Sequence, residues 1–271
     1  MKEVNAEVFT RMMREGIQPQ GPFKNLRVAH TYMSKATGGT REQSVVCGNL
    51  SSPQGWVAVT TRSGLRQAHV IVEGQTVNNT WAFVIWLLQE QGNWRVQYFQ
   101  FVTSAIVGKS AQDLWGMART EQQRQHDFNA FVLYAAALQM AWRGPHLQLG
   151  ILPELQKEMG KLRVPAELRG QPPFTWKFGE SSFKVSNVGP IGIGGNIYLL
   201  ITQEVGPWKE DKEAGRANVH LIAAFRKAYP EYSDVFAGLI VEARERGGAR
   251  GYRTVEENPI EHRENGMVEP K

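Results

Sequence analysis

Apolar and polar positions alternate along residues 44–103 with the period of β-strands, and the period lengthens to that of helices after Ser110. The first half is organised around residues 80–107, TWAFVIWLLQEQGNWRVQYFQFVTSAIV. Two aromatic and branched runs flank Gln89-Glu90-Gln91-Gly92-Asn93, which predicts a β-hairpin with a loop of a few residues. Residues 81–88 are apolar at every position, the mark of a central strand covered on both faces. Alternation puts Trp94, Val96 and Tyr98 on one face, with Arg95 and Gln97 on the other. Phe99 and Phe101 then join the opposite face, so a bulge or a doubly covered sheet is expected near Tyr98.

The same period predicts strands over 44–49, 56–62 and 67–73, separated by Pro53-Gln54-Gly55, Ser63-Gly64 and Gly74-Gln75, hence an antiparallel meander. Residues 3–15 space Val4, Val8, Phe9 and Met12 as a helix that Gly16 stops, and 17–43, with Pro19, Pro22 and Gly38-Gly39, read as irregular. Beyond the meander, helices are predicted over 113–125, 127–143, 153–162 and 211–229. Ser110 and Asp113 mark a capped start, and Gly144-Pro145 and Pro230 are stops. Strands 183–188 and 196–203 flank a glycine-rich loop at 189–195. A last hairpin, 236–243 with 251–256, turns at Arg246-Gly247-Gly248-Ala249. The fold class is α+β, with mostly antiparallel curved sheets packed on helices.

Several short matches recur in the same order in both halves. Gly16-Ile17-Gln18-Pro19 matches Gly150-Ile151-Leu152-Pro153, and Leu26-Arg27-Val28 matches Leu162-Arg163-Val164. The hairpin closing at Trp94-Arg95 matches the one closing at Tyr252-Arg253. This collinearity predicts two pseudo-repeated units, 1–108 and 127–257, with a connecting helix at 109–126 and a flexible tail at 258–271. It also makes Trp94 and Tyr252 equivalent, each an anchor of its sheet, and sets residues 183–203 over residues 44–62.

At Gly92-Asn93-Trp94-Arg95-Val96-Gln97-Tyr98-Phe99-Gln100-Phe101 the chain resembles the closing hairpin of nuclear-transport-factor-two-like (cystatin-like α+β) domains. The resemblance implies a cone, a curved sheet wrapped on helices around a pocket. Residues 17–43 depart from that family's second and third helices, and no catalytic residue is carried over from it.

At 271 residues with 42% hydrophobic and 21% charged residues, the chain has the composition of a folded globular protein. No apolar run is long enough to cross a membrane, and no signal-peptide core opens the sequence, so a cytoplasmic location is favoured unless a leader was removed before residue 1. The single Cys47 forms no internal disulfide and is expected as a buried free thiol. The net charge of +5 is uneven: residues 1–126 carry 13 Lys and Arg against 8 Asp and Glu, while residues 127–271 carry 18 against 18. These cations are dispersed, which speaks for a solvated basic surface over a nucleic-acid site.

Val107-Gly108-Lys109-Ser110 lies between a strand and a helix, but Thr103 stands where a phosphate-binding loop needs Gly. None of the six histidines forms a metal-ligand pair with another, so no metal and no cofactor is expected. His69 alternates with Ile71 and Glu73, and on a concave face His69 and Glu73 would be the candidate general acid and base of an isomerase, dehydratase or hydrolase. The alternative is a non-catalytic protein that binds a small apolar ligand or a protein partner. Trp86, Trp94, Tyr98, Phe99 and Phe101 are the candidate pocket lining, although aromatics on strands are more often plain core.

Overall fold

In the computed structural model the described residues are 6–35, 42–248 and 250–258. The chain runs α1 (Ala6–Ile17), β1 (Lys24–Lys35), β2 (Glu42–Gly48), β3 (Trp56–Arg62), β4 (Arg66–Gln75), β5 (Asn79–Glu90), β6 (Asn93–Ile106), β7 (Lys109–Ser110), α2 (Ala111–Gln123) and α3 (Asp127–Ala141). It continues through β8 (Leu147–Leu149), α4 (Ile151–Met159), β9 (Phe174–Phe178), β10 (Ser181–Ile193), β11 (Asn196–Val205), α5 (Asp211–Ala228), β12 (Gly238–Glu245) and β13 (Gly251–Glu257). This is an α+β fold of curved, mostly antiparallel sheets. Two compact units share the chain, one of residues 1–108 with Arg143–Leu149 and one of Lys109–Trp142 with residues 150–271.

In the first unit the strands β1-β4-β5-β6 form an antiparallel sheet in that order. The expected meander is therefore split, because β2 and β3 pair with β8 in a separate three-stranded sheet. Ala82, Val84, Trp86 and Leu88 on one face of β5 are almost wholly buried. Ala82 and Val84 meet Val57, Val59 and Leu147 of the small sheet, so the core lies between the two sheets. The other face of β5 is half-buried, and there Trp81, Phe83, Phe99 and Phe101 pack with Phe23; Trp81 stacks on Phe101 at 4.4 Å. Residues 24–35, expected to be irregular, are the edge strand β1. Cys47 is free and half-buried against the core.

The β5–β6 turn is the two-residue Gln91-Gly92, with φ of +50° and +84°, the left-handed pair of a type I′ turn. The register shifts between Trp86↔Tyr98 and Leu87↔Val96, leaving Gln97 as a bulge. Because cross-strand partners share a face, the bulge sends Trp94 and Val96 to the side of Phe99 and Phe101, away from Tyr98. The even alternation read from residues 94–98 is corrected at that point.

The second unit has the sheet order β13-β12-β11-β10-β9, in which β11 and β12 run parallel. The parallel step follows from α5, which carries the chain between them. Residues 109–126, expected as a connector, supply α2 to this unit. Its Ser110–Asp113 capping box forms as the sequence indicates: the Ser110 backbone N–H donates to Asp113 Oδ2 at 2.8 Å, and the Asp113 N–H donates to Ser110 Oγ at 3.3 Å. The Asp113 carboxylate thus occupies the helix start at which an anion would sit. Helix α3 is buried on nearly every side, as its all-round apolar pattern requires.

Glu158 of α4 ties the helices together, accepting from Trp115 Nε1 at 2.7 Å, Arg119 Nη2 through its other oxygen at 2.6 Å and the Tyr134 hydroxyl at 3.0 Å. Those bonds, led by Arg119, hold its carboxyl down at about 2. Asn258, placed in the flexible tail by the sequence, is buried and donates to the Phe236 carbonyl at 2.7 Å. The rest of the tail lies outside the described residues.

The sequence-matched hairpins are antiparallel in both units, but they belong to differently ordered sheets. β2–β3 sits in the three-stranded sheet, whereas β10–β11 lies within the five-stranded one. Trp94 is 42% exposed, so it does not anchor its sheet. Tyr252 packs against Trp208, Ala214 and Ala243.

Candidate functional site

Alternation along β4 and β5 carries His69 and Trp86 to the inner face of the first unit. There a cross-strand row runs Tyr32, His69, Trp86, Tyr98 over β1, β4, β5 and β6. The His69 imidazole lies nearly flat on the Trp86 indole, with centroids 5.3 Å apart and planes inclined at 13°. His146, from the return segment 143–149, meets the same indole at 4.7 Å and the Tyr98 ring at 4.9 Å. Gly144 permits that approach: its φ is +89°, and a Cβ there would lie 2.5 Å from Gln100 Oε1 and 2.7 Å from the Tyr98 hydroxyl oxygen.

Beside the row, Gln67 is fully buried and closes the β3–β4 turn. Its Oε1 accepts from the Arg62 backbone N–H at 3.0 Å and from Trp86 Nε1 at 3.2 Å, and its amide donates to the Arg62 carbonyl at 2.9 Å. The Arg62 guanidinium stands 5.4 Å from the Trp86 ring and pairs with Glu42 at 2.8 Å.

His69 is 1% exposed, and neither ring nitrogen has a hydrogen-bond partner among the described residues. Burial, with a smaller push from His146, lowers its pKa from 6.5 to about 4. The imidazole is therefore neutral near pH 7. His146 is also lowered, first by burial; Glu42 opposes that shift and Arg62 adds to it. Arg143 is buried too, and burial brings its guanidinium down to about 10 against the pull of Glu73.

The sequence-based candidates divide between the two faces of the sheet, with His69, Trp86 and Tyr98 together in the inner row. His69 and Glu73 share a face of β4, but Glu73 accepts from Arg27 Nη2 at 2.8 Å and His69 takes no bond from it. Trp86 and Tyr98 are members of the inner row. Phe99 and Phe101 point to the opposite face, and Trp94 lies beside the hairpin turn. The five aromatics line no common pocket, because the strand period and the Gln97 bulge distribute them over both faces. Sequence reasoning missed His146, Tyr32, Gln67 and Arg143. Gly144-Pro145 marked the end of a helix, and nothing local shows that the chain then returns to the first unit.

Clefts among the described residues lie elsewhere. One of about 810 Å³ in the first unit is lined by Arg14, Ile17 and Pro22 with Phe23 and Phe83. In the second unit, one of about 420 Å³ surrounds Pro230–Asp234 and one of about 280 Å³ lies between α3 and α4 beside Trp142. His69 lines none of the three. No group of three or more His, Cys, Asp or Glu among the described residues is placed to hold a metal ion, and no described helix is long and apolar enough to cross a membrane.

The most open feature of the first unit is β1 itself. It pairs only with β4, so its second edge is unpaired among the described residues. Leu26, Val28 and Met33 are each more than half exposed. Between Lys24 and Lys35 there is no carboxylate, and Lys35 stands opposite Arg66 in the register, both exposed. No family model, curated protein or solved structure matches the chain.

Proposed function

We propose that the chain is a non-catalytic protein-interaction protein whose first unit offers β1 to a partner. The observation that carries this reading is the twelve-residue edge strand, with Leu26, Val28 and Met33 turned to solvent on a sheet whose inner face is packed. An unpaired edge is a ready template for another chain. The enzymatic alternative needs His69 to exchange protons at a working pH and to lie within reach of a carboxylate. A buried imidazole at about 4 stacked on Trp86, with Glu73 engaged by Arg27, supports a core role for His69. The nuclear-transport-factor-two-like resemblance remains part of the proposal. A curved antiparallel β4-β5-β6 sheet behind a leading helix supports it, and the second sheet β2-β3-β8 departs from it. Descent of both units from one duplicated ancestor is likewise proposed, on the order of the sequence matches and the paired hairpins.

The test is site-specific photocrosslinking. A photoreactive residue at Met33 is expected to give discrete protein adducts in an extract of the source cells, and one at the exposed Val219 of α5 is not. Equal labelling from both positions, or none from Met33, would contradict the reading.

A further inference from the structure

Resting on the reading of β1 as a docking strand, we infer that its partner is an extended, acidic protein segment that adds to β1 as a further strand of the sheet. The strand carries Lys24, Arg27 and Lys35, and no Asp or Glu. Arg27 is already paired with Glu73, whereas Lys24 and Lys35 have no ion-pair partner among the described residues. At one end Lys35 faces Arg66 directly across the ladder, and Arg66 also lacks a carboxylate partner among the described residues. Like charges directly opposite destabilise a sheet, and a carboxylate on a neighbouring strand would relieve them.

The same charges select against a second copy of this chain. An antiparallel β1–β1 pair in full register would set Lys24 against Lys35 at both ends, cation on cation. The register shifts at Lys24/Arg27 and Val28/His30 further break the first half of the edge, a common device against self-pairing. From His30 to Lys35 the ladder is regular, so that half is the better template, with Met33 to be covered by an apolar side chain of the incoming strand. Met33 and Lys35 share a face of β1, so the fitting segment carries a carboxylate opposite Lys35, near Arg66, and an apolar residue two places along, opposite Met33.

The probe is a fluorescein-labelled peptide of about ten residues with Glu at every fourth position and Val or Thr between, titrated with the full chain and followed by anisotropy. Its counterpart with Lys in place of Glu is the control. The acidic peptide should bind and the basic one should not. The double substitution Lys35→Glu, Arg66→Glu should weaken binding by about tenfold or more, with affinity falling as salt rises. Lys212→Glu, on the exposed surface of α5, should leave it unchanged. Amide exchange on the bound chain should slow within residues 30–35, and an unchanged thermal midpoint would show that the double variant is folded. Equal binding of both peptides, or of the wild type and the folded double variant, would overturn the inference. So would slowing of exchange outside β1, or a salt-insensitive dimer of the chain alone that excludes the peptide. If Met33 still crosslinks to a partner that the acidic peptide does not displace, only the acidic chemistry fails; if Met33 yields no adduct, the docking role itself fails.

Discussion

Two buried polar side chains, one in each unit, are treated in opposite ways. In the second unit Asn218 of α5 is fully enclosed and fully engaged. Its Oδ1 accepts from Gln203 Nε2 at 2.9 Å, and its Nδ2 donates to the Tyr252 carbonyl at 3.0 Å and to Thr254 Oγ1 at 3.1 Å. One amide thus fastens α5 to β11 and β13. In the first unit His69 is as deeply enclosed, but both its ring nitrogens are without partners among the described residues, and its ring stacks flat on Trp86. Burial of a polar group stabilises a fold only when its bonds are made, and otherwise favours the uncharged form. Asn218 therefore specifies geometry, whereas His69 fills space and resists a proton.

Asn218→Ala strips three hydrogen bonds and leaves Gln203 unpaired in the core, so it should cost ~2–4 kcal/mol in urea melts, the largest effect expected here. A loss below ~1 kcal/mol would remove the contrast with His69.

Acid should act next most strongly, and on the first unit. The folded pKa of His69 lies near 4, below its unfolded value near 6.5. The unfolded chain therefore takes up the proton first, and the stability present at neutral pH falls as pH drops from 6.5 towards 4. At ~1.4 kcal/mol per pKa unit this contribution is about 3 kcal/mol. His69→Phe keeps an aromatic ring against Trp86 and should flatten that limb of the stability–pH curve, read from urea midpoints between pH 4 and 7.

The two hairpins sharpen the comparison at a smaller scale. Tyr252 packs on Trp208, Ala214 and Ala243, and Tyr252→Ala should lower stability by ~2 kcal/mol. Trp94, 42% exposed beside the β5–β6 turn, should lose less than ~1 kcal/mol on truncation. The reverse ranking in paired melts would restore Trp94 as the anchor that the sequence match implies.

The contrast also marks where the sequence is legible. The strands from β3 to β6 and helices α3 and α5 follow from local period, because each buries a face that its own residues declare. β1 was missed because an edge strand with one exposed side and two register shifts has no clean alternation to read. The Gln97 bulge was signalled by the change of pattern at Tyr98, but its position decides which aromatics are inside, and only pairing with β5 fixes that. His69 and Glu73 were rightly placed on one face of β4. What packs on Trp86 beside His69 is His146 of the return segment, and what holds Glu73 is Arg27; neither neighbour is near in sequence. The parallel β11–β12 pair was signalled by the strand–helix–strand order across α5, but which strands become neighbours is set by packing and not by local pattern.

The central claim is that His69 is a core residue and not half of an acid–base pair, and titration of its imidazole by heteronuclear NMR tests this most directly. The account predicts a midpoint near 4 that does not move in Glu73→Gln, because burial and His146 set it. A midpoint at or above 6.5 that falls when Glu73 is replaced would show His69 and Glu73 working as a coupled pair, and would contradict it.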